Sequence, residues 1–152
     1  MQLAKEHIAC IDKSVLCWLA TVSNDGVPNV SPKEIFTYYN DNTIIVANIA
    51  SPQTVRNIKS NANVCISFID ILVQKGFQVK GRAQIFHKSD PKFSELEAPL
   101  LKMTDGKFPF ASITKITPTM IKPIVAPRYL LFPETTELEQ IQSAKRVYGL
   151  YD

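Results

Sequence analysis

Lys33 is the one basic side chain in "NVSPKEIFT" (29–37), and it follows Asn29 and Ser31 at two-residue spacing. In an extended strand that spacing puts all three side chains on one face, with Val30 on the other. An ammonium, a hydroxyl and an amide side by side are groups that hold an oxyanion. A second run, "SPQTVRNIKS" (51–60), opens in a way that suits the same task. Ser51 is an N-cap type, Pro52 fits the first helical position, and the N–H groups of Gln53 and Thr54 then lack partners inside the helix. The helix dipole adds partial positive charge, and the Ser51 and Thr54 hydroxyls add donors, so phosphate is the ligand such a start suits. Two plainer readings stand beside this one. A strand face of Asn, Ser and Lys is also what a solvated strand presents, and Ser51 is also an ordinary cap. Pro32, which removes a ladder donor and marks an edge or a bulge, favours the site.

The elements that must position these groups follow from pattern. Residues 3–12 place Leu3, Ala4, His7, Ile8 and Ile11 on one helical face. "LCWLATV" (16–22) is apolar on both sides and predicts a buried strand with Trp18 in the core. After the turn "SNDG" a second strand runs through "VPNVSPKEIFTYY", and Asn40 to Asn42 turn the chain into a third, "TIIVANI" (43–49). A meander of these three sets Lys33 beside the strand that feeds the Ser51 helix. Further strands are predicted over 64–70, over 77–86 with Gly81 marking a bulge or a close approach, and over 113–125, where Pro118 and Pro123 argue for an edge. Ser89 or Asp90 before Pro91 predicts another capped helix, and Leu138, Ile141, Ala144, Lys145 and Tyr148 mark a C-terminal one. About six strands with a short helix between the third and fourth predict a mainly β fold, an antiparallel barrel with peripheral helices.

Composition narrows the function classes. A chain of 152 residues is expected to form one domain over 1–152, with 45% hydrophobic and 20% charged residues as in ordinary globular proteins. The net charge of +3 comes from scattered lysines and does not point to nucleic acid. An oligonucleotide-binding barrel would interleave aromatics with basic residues, and "IFTYY" has no flanking bases. No apolar stretch is long enough for a membrane span, and the N-terminus lacks a signal-peptide core. Three cysteines without a C-x-x-C pair fit a reducing cytoplasm and small buried side chains. His7 and His87 have no partner at metal-ligand spacing, so no metal site is predicted. No paired carboxylates or nucleophile motif stand out, and catalytic residues stay unassigned.

"LATVSNDGVPNVSPKE", "IIVANIASPQTVRNIKSNANVCISFID" and "VKGRAQIF", taken in order, resemble the pyridoxamine 5′-phosphate oxidase-like family of FMN-binding split barrels over roughly residues 10 to 90. The resemblance implies a split β-barrel, a homodimer with FMN at the subunit interface, and an oxidoreductase acting on a small molecule. It implies that Asn29, Val30, Ser31 and Lys33 line the flavin, that Ala47, Asn48 and Ile49 pass it through backbone contacts, and that Ser51, Gln53 and Thr54 hold phosphate and ribityl oxygens with Lys33. The family's vitamin B6 oxidases carry arginines in the phosphate cluster and a C-terminal R-x-H; here the helix opens Ser-Pro-Gln and the chain ends "KRVYGLYD". Those departures argue against vitamin B6 oxidation. A flavin or haem carrier without turnover, built on the same barrel, is the alternative.

Overall fold

The computed structural model describes residues 1–150. Residues 151 and 152, which end both the predicted domain and "KRVYGLYD", lie outside the described residues. Helix α1 (Lys5–Lys13) leads into β1 (Cys17–Val22), β2 (Pro28–Lys33), β3 (Phe36–Tyr39) and β4 (Thr43–Ala47). Then come α2 (Pro52–Ser60), β5 (Asn63–Asp70), β6 (Lys75–His87), α3 (Phe93–Thr104), β7 (Ser112–Val125), α4 (Pro127–Leu131) and α5 (Glu137–Tyr148). All pairings are antiparallel, in one sheet ordered β2-β1-β5-β6-β7-β4-β3.

The long second strand read from sequence is two strands, which raises the count to seven. Glu34 and Ile35 interrupt it, and its halves stand at opposite ends of the strand order. This break explains the shape. Seven strands laid flat would hold their outer two about 29 Å apart, yet the step from Lys33 to Phe36 spans at most about 11 Å. The sheet must therefore roll until its two ends meet, giving an antiparallel split barrel.

Strand β4 is buried along its whole length. Ile44 and Val46 join Leu19, Phe36, Ile66, Phe68 and Ile116 in the barrel core. Ile45 and Ala47 point the other way and pack with Phe86, Phe93, Leu100, Phe110 and Ile113 beneath α3. Gly81 sits at a register shift in β6, and a Cβ there would lie 2.5 Å from the Thr117 carbonyl oxygen, so the predicted close approach is present. Pro118 faces Gly81 just beyond the last β7 residue paired with β4, so this half of β7 has a strand on one side only.

Two local expectations change. Helix α3 starts at Phe93 rather than after Ser89 or Asp90, because Asp90 builds a turn instead: its carboxylate accepts from the Lys92 N–H and its carbonyl from the Phe93 N–H, both at 3.0 Å. Trp18 is 48% exposed and outside the core, since its pairing with Pro32 puts it on the outer face of the sheet. Helix α5 begins as the spacing predicts, and among the described residues no helix is long and apolar enough to cross a membrane.

Candidate functional site

Alternation along β2 shows that Asn29, Ser31 and Lys33 share a face, and the pairing with β1 shows which face it is. Asn29 stands opposite Thr21, Ser31 opposite Leu19 and Lys33 opposite Cys17, three residues buried on the inner side of the sheet. The polar stripe therefore points inward, while Val30, 58% exposed, points out. The stripe is thus not an outer strand face, although Asn29 and Ser31 stay partly exposed and only Lys33 is buried. Only the backbone of Val30 is in a position to serve a ligand on the inner side.

The route that brings β2 to α2 differs from the meander expected. Strand β4, which feeds α2, pairs with β3 and β7 and never with β2. The approach occurs across the barrel seam, where the Ser31 and Thr54 hydroxyls lie 3.0 Å apart. One turn further along α2, the Asn57 amide donates to the Thr21 hydroxyl at 3.0 Å and ties the helix to β1. Lys33 lies one side-chain repeat from Ser31, about 7 Å along the strand.

Two features of this corner carry chemistry. Lys33 is 6% exposed, and its side chain makes no hydrogen bond or ion pair among the described residues. Burial lowers its pKa from the ordinary lysine value, with the neighbouring Cys17 opposing. Burial also drives the Cys17 thiol up to about 12 against the pull of Lys33, so this cysteine is not a thiolate at neutral pH. The second feature is the start of α2. Ser51 occupies the N-cap position but its hydroxyl caps nothing; the oxygen is buried and without a partner. No acidic residue stands in the first turn, so the Gln53 and Thr54 N–H groups keep their unneutralised partial charge. A largely enclosed lysine without an ion pair and a helix end without a cap both suit an anion, and these residues fit a phosphate group.

The other predicted residues divide by placement. Ala47 and Ile49 line a cavity of about 280 Å³ together with Pro32, Lys33, Glu34, Ile35 and Phe108. The Ala47 N–H donates to the Ile35 carbonyl and the Asn48 N–H to the Ser112 carbonyl, both at 3.0 Å, which leaves Ile49 as the amide of the three not tied to another strand. The Asn48 side chain turns away into β7: its amide donates to Ser112 Oγ at 3.1 Å and its carbonyl accepts from Thr114 Oγ1 at 2.9 Å. The Gln53 side chain is bound along its own helix to Asn57 and Arg56. Its backbone is what faces the helix end.

Glu34, Ile35, Pro32 and Phe108 belong to the cavity but were not read as site residues from sequence. The interrupted strand at Glu34 and Ile35 was the available signal for three of them; for Phe108 the signal is the aromatic pair Phe108 and Phe110 in "GKFPFAS", which reads from sequence first as a loop packed on its own barrel. A larger cavity of about 520 Å³ opens between α1, the β5–β6 turn and α5. There Lys75 is already paired with Glu137 at 3.0 Å and lies over the Tyr129 ring.

Fold and site together describe a split-barrel protein in which Lys33 and the start of α2 form an inward polar corner beside a small cavity. Residues 3–132 match the pyridoxamine 5′-phosphate oxidase family, and the chain belongs to that family. Among solved structures it is similar to the HupZ protein of Group A Streptococcus at 27% identity, with a TM-score of 0.66 over 78% of this chain and 91% of that one. It is similar in fold to an FMN-binding protein from Syntrophomonas wolfei (18% identity, TM-score 0.66, 80% and 86% covered). HutZ, the heme storage protein of Vibrio cholerae, shares the fold as well (20% identity, TM-score 0.63, 82% and 95% covered). No curated protein sequence matches the chain.

Proposed function

We propose that this protein binds FMN, with the phosphate between Lys33 and the start of α2 and the ring in the adjoining cavity, and that it is an oxidoreductase acting on a small molecule. The observation that carries this reading is Lys33, a largely enclosed lysine that makes no ion pair among the described residues and lines the cavity, on the strand face that meets α2 at Ser31 and Thr54. Enclosing most of a lysine without a counter-charge carries a cost, and a phosphate held there supplies that charge. The uncapped Ser51 and the free amides of Gln53 and Thr54 complete the donor set. Lys33 and these donors bind and orient; Ala47, Ile49 and Pro32 offer an apolar wall. The flavin, once bound, supplies the electron chemistry, which suits a site without an acid–base pair.

A second chain completes the site in this reading. A cavity of about 280 Å³ is just under the roughly 300–1,000 Å³ of most ligand pockets. The outer face of β1 and β2 beside it exposes Trp18 and Val30 at 48% and 58%, apolar side chains that a homodimer would cover. Sedimentation with FMN present is expected to show a dimer, and a lone 17.1 kDa species counts against it. The heme storage protein among the structural neighbours favours one other reading, a carrier without turnover. The absorption spectrum of freshly purified protein separates the two: flavin bands that bleach with reductant and return with an acceptor are expected. A Soret band with no flavin absorption would overturn the proposal.

A further inference from the structure

The loop from Asp105 to Ala111 carries two phenylalanines with opposite fates. Phe110 is 6% exposed and packs against Phe93 with ring centroids 6.5 Å apart, so it anchors the loop on the core beneath α3. Phe108 is 55% exposed, although it borders the same cavity as Lys33. Its position is built rather than incidental. Asp105 and Gly106 both take left-handed backbone conformations at φ of 48° and 70°, and the Thr104 carbonyl and hydroxyl hold Lys107 and Gly106 through their N–H groups. On the far side, Ser112 is fixed by the buried Asn48 amide. The loop is thus clamped at both ends, with an aromatic ring left on the border of the cavity and more than half exposed.

The remaining walls show what such a ring is for. Pro32, Ile35, Ala47 and Ile49 supply apolar surface, and none offers a π-face. Phe108 is the single aromatic side chain at the cavity among the described residues. We propose that Phe108 is the aromatic cover of the bound ring system: it stacks on or packs edge-to-face against a planar heteroaromatic ligand and positions it against the β4–α2 connection. Phe108 acts on the ring and Lys33 on the phosphate, so the two contributions are separable by ligand. This assignment rests on the flavin reading above.

The test titrates the full-length wild type, Phe108→Ala, Phe108→Tyr and Lys33→Ala with FMN, riboflavin and lumiflavin, following flavin fluorescence. Phe108→Ala is expected to weaken all three ligands by the same factor, about tenfold, the order of a lost aromatic pair. Phe108→Tyr keeps the ring and stays within about twofold of wild type, whereas Lys33→Ala weakens FMN alone. Since Phe108 is exposed, its variants are expected to keep the unfolding midpoint of the unliganded protein. Unchanged affinity in Phe108→Ala would overturn the cover while leaving the flavin site standing, and so would a loss confined to FMN. Failure of the wild type to bind any of the three flavins is a different result and removes both readings together.

Discussion

Helices α2 and α5 open with the same grammar and finish their first turns in opposite ways. Each has a hydroxyl residue at the N-cap, Ser51 in one and Thr136 in the other. In α5 the Thr136 hydroxyl accepts from the Glu139 N–H at 3.2 Å, and the Glu139 carboxylate returns the bond to the Thr136 N–H at 2.9 Å. Those bonds hold the Glu139 carboxyl below its usual range. Glu137 adds a second acid to that turn. In α2 the Ser51 hydroxyl makes no bond, and no acid stands in the first turn. Helix α5 therefore neutralises its own N-terminal dipole, and α2 leaves its dipole for something else. A helix that only has to pack gains from the first arrangement. The second makes physical sense where an anion arrives from outside, next to a lysine that also lacks an acid.

The largest effect expected from breaking this contrast is at Lys33. Replacement by Ala removes a charge-assisted contact of about 1.5–3 kcal/mol, so FMN should weaken by roughly ten- to a hundredfold. Riboflavin, which has no phosphate, should be nearly unaffected, and fluorescence titration of both ligands reads the difference. The pH dependence has a definite sign. The Lys33 pKa is depressed by burial, so as pH rises through that lowered value the ammonium is lost before an ordinary lysine would lose it. FMN affinity should fall over that alkaline window relative to riboflavin. In the unliganded protein the unfolded chain binds the extra proton between the folded value and 10.5, so the cost of burying this charge is relieved and stability rises there. Both trends should vanish in Lys33→Met.

A smaller effect comes from giving α2 the acid that α5 has. Gln53 is exposed in the first turn, and Gln53→Glu places a carboxylate near the free amides, keeping the acceptor for Arg56 but losing the Nε2 donor to the Asn57 side-chain oxygen. The dipole contributes a few tenths to about 1 kcal/mol and the lost bond costs about as much, so the unfolding midpoint should move little while FMN weakens by about tenfold. Weaker FMN binding at a nearly unchanged midpoint is the signature; unchanged affinity would show that the end of α2 is ordinary. The control is Thr136→Ala, which should cost about 1 kcal/mol of stability through the lost cap and leave FMN affinity unchanged.

How much of this was legible in the chain depends on what alternation can say. Two-residue spacing shows that Asn29, Ser31 and Lys33 share a face, but whether that face is wet or buried is decided by β1, whose Cys17, Leu19 and Thr21 stand opposite. The same pairing carries Trp18 outward, against the usual placement of a tryptophan. Ser51 could be recognised as an N-cap type; that its oxygen stays unpaired depends on local backbone geometry, with φ of −129° and ψ of 58°. The split at Glu34 and Ile35 was hidden because β-forming residues continue on both sides of it, through Phe36 to Tyr39. Phe108 was legible only as one of a pair. Phe-Pro-Phe in a loop reads as two equivalent apolar residues until packing with Phe93 claims one of them. Gly81, by contrast, was legible, because a glycine inside a strand has few explanations.

The smallest expected effect lies in the link between the cavity and the helix end. Ala50 separates Ile49, which lines the cavity, from Ser51, and it holds φ at +49° without being a glycine. A left-handed conformation costs an L-residue roughly 1–2 kcal/mol. Ala50→Gly removes that strain but adds unfolded-state freedom of about 0.4–1 kcal/mol, so the net gain should be on the order of 0.5–1 kcal/mol. For a chain of this size that is a rise of about 1–3 °C in the Tm of the unliganded protein. Glycine also loosens the geometry that sets the ring wall against the phosphate donors, so FMN should bind slightly more weakly despite the more stable fold. Strain kept in place for preorganisation has this split outcome. A lower Tm, or a higher Tm accompanied by tighter FMN binding, would mean that the Ala50 conformation is a packing accident with no bearing on the site.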